Sequence, residues 1–310
     1  MLLKFLVFLF FSLHAVWAKE ETYNESILLK IDKQGLKAYL ETLPSNLEQG
    51  RLLAEFPIAI GKNQGDKLQA GDNRTPEGIY FTRTHLPKEH LLKSMGQERI
   101  SQKYGELAIP ISFPNPFDRY ENKTGSGIWL HGAGDDKRME EKNVTEGCVA
   151  FFNADILKLS KWLNPSYSVV VSAHDSKAIN TKEDRSGVFA VYGKWLASWQ
   201  NKKLDDYIDF YHPDFTFESK GKSAYKNHKK RVFASYRDMK IDMQNVKVIT
   251  HPKYAVIIAN QDFRGDRRFV SAGKKVLYWI KNQDRWMILR EEFETKLFTT
   301  LAFTKPSTPL

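Results

Sequence analysis

Two short stretches, Ile128-Trp129-Leu130-His131-Gly132 and Thr145-Glu146-Gly147-Cys148-Val149, decide how this chain is read. The first is a brief apolar run ending in His-Gly, the pattern of a buried strand that delivers a histidine at its end. The second holds Cys148, seventeen residues after His131 and the only cysteine among 310 residues. A free cysteine packs like a small hydrophobe, so core packing alone would account for one. A thiol near its free pKa of about 8.5 is mostly protonated at neutral pH, and the thiolate is the nucleophile. A strand-end histidine carried beside it by the intervening loop could take that proton. Gly147 would let the chain approach a substrate carbonyl without a side chain in the way. The amides of Gly147 and Cys148 could then hold a developing oxyanion. Cys148 and His131 are therefore the candidate catalytic pair.

Working outward, the chain from residue 27 to about 173 is a series of short apolar alternations punctuated by glycine and proline. Residues 27–31, 36–40, 53–60 and 79–82 read as strands, with turns at 32–35 and at Thr75-Pro76-Glu77-Gly78. One helix is expected, with Asn153 as its cap and Phe152, Ile156, Leu159 and Leu163 at helical spacing, stopped by Asn164-Pro165. Residues 168–172 read as a closing strand. The segment 175–186 is polar and aperiodic, a linker. After it, Val188, Tyr192, Trp195, Leu196 and Trp199 form one helical face, a shorter helix and a third follow, and four long strand-like runs close the chain. Helices followed by a strand meander imply a curved antiparallel sheet wrapped over helices.

Bulk properties narrow the function classes. Lys4, the apolar run 5–17 and Val16-Trp17-Ala18 read as an export signal, and that run is shorter than the roughly 20 residues a spanning helix needs. Periplasmic localisation is the expectation. The net charge of +10 suits an anionic polymer or membrane surface, and export argues against nucleic acid. One cysteine cannot form an internal disulfide. Asp135-Asp136 lies near His131, but no second histidine sits at ligand spacing, so neither a metal nor a cofactor is expected.

The pieces Ala59-Ile60-Gly61, Thr75-Pro76-Glu77-Gly78-Ile79-Tyr80-Phe81, Ile128-Trp129-Leu130-His131-Gly132 and Thr145-Glu146-Gly147-Cys148 occur in an order and spacing that resembles the L,D-transpeptidase family, the YkuD-type catalytic domain. The resemblance implies a mainly β, sandwich-like domain over residues 19–174 acting on peptidoglycan stem peptides. It implies Cys148 as nucleophile, His131 as general base, the Gly132 carbonyl orienting the imidazole, and Gly147 beside the oxyanion site. Trp129, Thr145 and Glu146 are expected to contact substrate. Two departures stand out. Crosslinking members usually carry His before the Gly-Cys and Arg two residues after it, where this chain has Glu146 and Ala150. Residues 187–296 resemble the NTF2-like, or SnoaL-like, α+β cone, and 297–310 read as a loose tail. Such cones serve in small-molecule binding, dimerisation or occasionally catalysis, so an unidentified ligand and a homodimer stay open. Tyr192, Trp195, Trp199, Phe215, Phe217 and Trp286 either line a cavity there or fill its core, and no acid–base set stands out. The pairing of the two domains resembles the L,D-carboxypeptidases that set cell shape in curved and helical Gram-negative bacteria. Removal of D-alanine from the tetrapeptide is expected first, crosslinking second, and an inactive wall-binding or ligand-binding protein third.

Overall fold

Period-two alternation sends Ile27, Leu29 and Ile31 to one face of strand β1 (Ile27–Asp32) and Leu28 to the other, and all four are buried in the computed structural model, which describes residues 26–266 and 269–295. A turn in which Gly35 N–H donates to Asp32 Oδ1 (2.7 Å) returns the chain as β2 (Lys37–Thr42), and β3 (Leu52–Pro57) follows. Then come β4 (Ile60–Gly61), β5 (Gly78–Phe81) and β6 (Leu86–Pro87). The run 53–60, expected as one strand, is thus two, because the chain leaves one sheet at Pro57 and pairs with a different strand from Ile60.

A helical stretch absent from the sequence reading comes next: α1 (Lys88–Met95), α2 (Gln97–Arg99) and a π-helical turn, Ile100–Tyr104. Leu91 and Ile100 pin it against Ala108 of β7 (Leu107–Pro110). The remaining elements are α3 (Pro116–Tyr120), β8 (Trp129–Gly132), β9 (Asn143–Thr145), β10 (Val149–Phe151), α4 (Asn153–Ser160) and β11 (Val169–Ala173). Asn153 does not cap α4. Phe152 holds the cap position, and the Asn153 amide bonds Glu106 N (3.2 Å), Gly134 O (3.2 Å) and Asp136 Oδ1 (2.9 Å) instead. Two sheets result, ordered β3-β2-β1-β11-β5 and β10-β8-β7-β6, with a small β4-β9 pair beside them. One core, including Leu29, Leu40, Phe56, Tyr80, Ile109, Leu130 and Phe151, fills the space between the two sheets.

Helix α5 (Lys182–Gln200) starts inside the segment read as a linker, where Thr181 Oγ1 accepts Asp184 N–H at 3.2 Å, a side-chain cap. Then follow α6 (Leu204–Asp209), the small pair β12 (Thr216–Phe217) and β13 (Lys220–Gly221), and α7 (Lys222–Ser235). A four-stranded antiparallel meander closes the fold: β14 (Met239–His251), β15 (Tyr254–Gly265), β16 (Phe269–Asn282) and β17 (Arg285–Thr295). The expected leader 1–18 and tail 297–310 lie outside the described residues. Among those described, no helix is long and apolar enough to cross a membrane.

Both faces of the meander are covered. Val248, Ile257, Leu277, Trp279 and Ile288 meet Val188, Trp195 and Trp199 of α5. On the opposite face, Ile249, Tyr254, Val256, Val276, Tyr278 and Leu289 share one core with Leu28, Ile79, Val169 and Val171 of the first domain. Fully burying such a side chain contributes about 1.5–3 kcal/mol relative to exposure, so this shared core joins the two domains firmly.

Candidate active site

Strands β8 and β10 run parallel, with Val149 opposite Leu130, Ala150 opposite His131 and Phe151 opposite Gly132. Cys148 therefore leads directly into the three-residue strand β10, and it lies alongside the start of β8. Its Sγ accepts the Trp129 N–H (3.4 Å), and the thiol donates to Gly127 O (3.6 Å). Its carbonyl is gripped by two threonines, Thr145 Oγ1 at 2.7 Å and Thr75 Oγ1 at 3.4 Å. Thr75 Oγ1 also accepts Gly61 N–H at 2.9 Å, so the Ile-Gly and Thr-Pro-x-Gly pieces meet behind the cysteine.

Gly147 has φ +123°, and a Cβ there would lie 2.7 Å from Arg74 O, so only glycine fits. Its amide, however, donates to Thr145 Oγ1 at 3.1 Å. The expected oxyanion pair is thereby reduced, because a donor already committed to a hydroxyl is not aimed at substrate. The Cys148 amide is the candidate that is left.

His131 is 3% exposed, and its Nδ1 lies 2.6 Å from Gly132 O. A carbonyl only accepts, so Nδ1 carries the hydrogen and the neutral ring keeps Nε2 as an acceptor. Burial pulls the imidazole down to about 4, against the raising effect of that bond. Burial likewise pushes the Cys148 thiol up to about 11, against the Trp129 N–H and despite Lys67 and Lys103. The pair rests as thiol and neutral imidazole, not as an ion pair.

Both residues line one cavity of about 560 Å³. Tyr104, from the unforeseen helical stretch, sets its ring edge-on to His131 (5.2 Å) and tilted on Trp129 (5.1 Å). Lys62, Lys67, Arg99, Lys103 and Arg138 also line it, against the single carboxylate of Glu146. The cavity therefore favours ligands carrying carboxylates. Of the expected substrate contacts, all three line the cavity, but in different ways. Trp129 packs its ring on Tyr104. Thr145 spends its hydroxyl on the Cys148 turn. Glu146 is exposed and pairs with Lys103 at 2.9 Å, which holds its carboxyl below the usual range. Ala150 is buried with Ala59, Ala133 and Met139. The Asp136 carboxylate accepts the Asn153 backbone and side-chain amides, both at 2.9 Å, a structural use. Nothing in the local sequence around Tyr104 or Arg99 announces either residue, since both arrive from a segment without clear periodicity.

In the second domain the aromatics Tyr192, Trp195, Trp199, Phe215 and Trp286 are buried in one core, with Phe217 packed against it. That core also holds a charged set that the sequence did not disclose. Glu291 pairs with Lys275 (3.0 Å) and accepts the hydroxyls of Tyr225 (2.7 Å) and Tyr211 (3.2 Å). Burial pushes the Glu291 carboxyl up, but Lys275, Lys229 and Tyr225 together hold it below its ordinary value. Burial also brings the Lys229 ammonium, set over the Trp199 ring at 4.9 Å, down to about 8.

Comparison with known proteins agrees with both halves. Residues 36–171 match the YkuD family, described as the L,D-transpeptidase catalytic domain, and residues 188–292 match the Cds6 C-terminal NTF2-like domain. Among solved structures, Bd1075 of Bdellovibrio bacteriovorus is similar over 89% of this chain and 95% of its own, with 27% identity and a TM-score of 0.74. The helical cell shape determining protein Pgp2 of Campylobacter jejuni is similar over 86% of this chain and 92% of its own, with 22% identity and a TM-score of 0.65, a likeness of fold. No curated protein sequence matches. Residues 36–171 thus belong to the L,D-transpeptidase (YkuD) family, and the chain joins this catalytic domain to a C-terminal NTF2-like domain.

Proposed function

We propose that the protein is a periplasmic peptidoglycan L,D-carboxypeptidase that trims the tetrapeptide stem to tripeptide. The observation carrying this reading is the committed Nδ1–H of His131, which leaves Nε2 as an acceptor in the cavity that holds the thiol. In the first step the thiol turns from Gly127 O, and Nε2 takes its proton as sulfur attacks the carbonyl between meso-diaminopimelate and D-alanine. The Cys148 amide faces the oxyanion. The imidazolium then protonates the leaving amine, D-alanine departs, and a thioester remains. Nε2 next removes a proton from water, which attacks the thioester and frees the tripeptide as the thiol re-forms.

Hydrolysis is favoured over crosslinking by position 150, where crosslinking members usually carry the carboxylate-gripping arginine and this chain buries an alanine. Cationic groups of the cavity wall, Arg99 and Lys103 among them, supply attraction for the stem carboxylates in its place. Ala150→Arg therefore destabilises the fold instead of creating a transpeptidase. Forcing an unpaired guanidinium among Ala59, Ala133 and Met139 costs more than about 3 kcal/mol, read as a fall in thermal midpoint. A stable variant that forms muropeptide dimers would overturn this account of the position.

Shape control is part of the proposal through the likeness to Pgp2, and export through the leader. The deciding test is a digest of purified disaccharide-tetrapeptide read by mass spectrometry. Loss of one alanine is expected. Dimers would make the protein a transpeptidase, and no turnover of any muropeptide would remove the enzymatic reading. The pH profile is a second test. The base must be unprotonated, so kcat/KM should hold level from neutral pH downward and fall only as pH drops through about 4. An acid limb near 6.5, the ordinary imidazole value, would mean that the buried neutral ring is not the base.

A further inference from the structure

The first hairpin of the second domain, β14–β15, ends in His251-Pro252-Lys253-Tyr254, and its tip reaches the segment that holds the nucleophile. Tyr254 is fully buried. Its hydroxyl oxygen accepts Ile79 N–H (2.5 Å) and Asn115 Nδ2–H (2.7 Å), while its own hydrogen points to Ile79 O (3.3 Å). Ile79 lies in β5, the edge strand of the five-stranded sheet. An edge strand leaves backbone groups unpaired, and here a side chain of the other domain supplies partners for them. Its ring stacks on Phe117 at 4.2 Å. The fit extends to Gly78, where a Cβ would lie 2.9 Å from the Tyr254 hydroxyl and 2.7 Å from that of Tyr80.

The neighbouring residue makes a second grip. Lys253 Nζ lies 2.7 Å from Asp66 Oδ2, and Asp66 Oδ1 accepts Glu77 N–H at 2.8 Å. Lys123 holds the same carboxylate at 2.8 Å. Residues 75–79 are thus held at Glu77 through Asp66 and at Ile79 by Tyr254. Within this segment Thr75 Oγ1 bonds the Cys148 carbonyl.

We propose that Tyr254 and Lys253 are positioning residues for the reaction: the NTF2-like domain sets the place of Cys148 by clamping residues 75–79 across the domain boundary. This rests on Cys148 as the nucleophile. It gives the second domain a role in the chemistry that is independent of any ligand it binds. The catalytic domain alone would lack both partners.

The test uses the full-length mature chain with Tyr254→Phe, Lys253→Ala and Lys253→Arg. Lys247→Ala serves as the control, because Lys247 also crosses the boundary (to Leu43 O, 2.7 Å) without touching residues 75–79. Two readouts are taken at a temperature where all variants are folded by circular dichroism. The first is the alkylation rate of Cys148 by iodoacetamide, which needs no substrate and reports one thiol because the chain has one cysteine. The second is kcat and KM on disaccharide-tetrapeptide. Tyr254→Phe keeps the ring and loses the hydroxyl, so alkylation and kcat should each fall about tenfold, as expected of a slightly misplaced reacting group, with KM within about twofold. Lys253→Ala should show a smaller fall in the same direction, restored by Lys253→Arg. Lys247→Ala should leave both within about twofold. The proposal is overturned if Tyr254→Phe alkylates at the parent rate or faster, or if Lys247→Ala slows both readouts as much as Tyr254→Phe does. Altered alkylation with no turnover by any variant, the parent included, would sink the carboxypeptidase reading while leaving the clamp supported.

Discussion

Under the proposed carboxypeptidase reading, Cys148→Ala is expected to abolish release of D-alanine from disaccharide-tetrapeptide, a loss on the order of 10⁶-fold, the scale seen when an acyl-enzyme nucleophile is removed. The reason lies in the mechanism's single covalent bond. Without sulfur there is no thioester, and in the proposed mechanism the oxyanion donor and the cationic wall would bind the stem without breaking it. The substitution leaves the surroundings intact. The carbonyl of residue 148 still receives Thr145 Oγ1, since that contact is to backbone, and only the Trp129 N–H and Gly127 O contacts to sulfur disappear. The variant should therefore fold and retain tetrapeptide, which equilibrium binding beside the activity assay will show. Activity within tenfold of the parent would rule out covalent catalysis at this position.

His131→Ala is expected to lower kcat/KM by about 10²–10⁴-fold, the usual contribution of a positioned general base. Because the ring is buried, bonded to Gly132 O and packed on Tyr104, alanine also leaves a cavity that complicates the comparison. His131→Gln fills more of that space, can still donate to the Gly132 carbonyl, and should lose the same activity. Its pH profile is the sharper result. With the base gone, the thiol must ionise on its own, and burial has pushed that ionisation up to about 11. Residual kcat/KM should then climb about tenfold per pH unit from neutrality toward that value, in place of the parent's level profile. A level profile in His131→Gln, or a loss under tenfold, would take His131 out of the mechanism.

Much of the site is legible along the chain because its elements are local. The His-Gly strand end, the Gly-Cys turn and the Thr-Pro-x-Gly turn are each set by a few consecutive residues. Their common cavity follows once the sheets form. Gly147 was expected to let the chain approach a substrate carbonyl, and the structure gives glycine another reason there, a positive φ with Arg74 O where a Cβ would lie. That its amide is committed to Thr145 Oγ1, and so not aimed at an oxyanion, was not legible, since it depends on which way the Thr145 hydroxyl turns. The cap of α4 was misread for a similar reason: Asn153 has partners in Glu106, Gly134 and Asp136 that propensity does not see.

By itself the sequence carried most of the strand and helix periodicities, the candidacy of a lone thiol and a strand-end imidazole, which the structure brings to one cavity, and the departures at Glu146 and Ala150. These depend on residue type and spacing, which are properties of short segments. Only the tertiary structure decided what covers Leu28, Val169 and Val171, because a strand buried on both faces shows its apolar run but not its partner. The same holds for Tyr104 beside His131, for Lys103 on Glu146, for the buried Glu291 with its tyrosines, and for Tyr254 on the edge of β5. Each joins residues brought together by tertiary packing rather than by sequence neighbourhood, and burial gives energetic weight to all of them except the exposed Lys103–Glu146 pair.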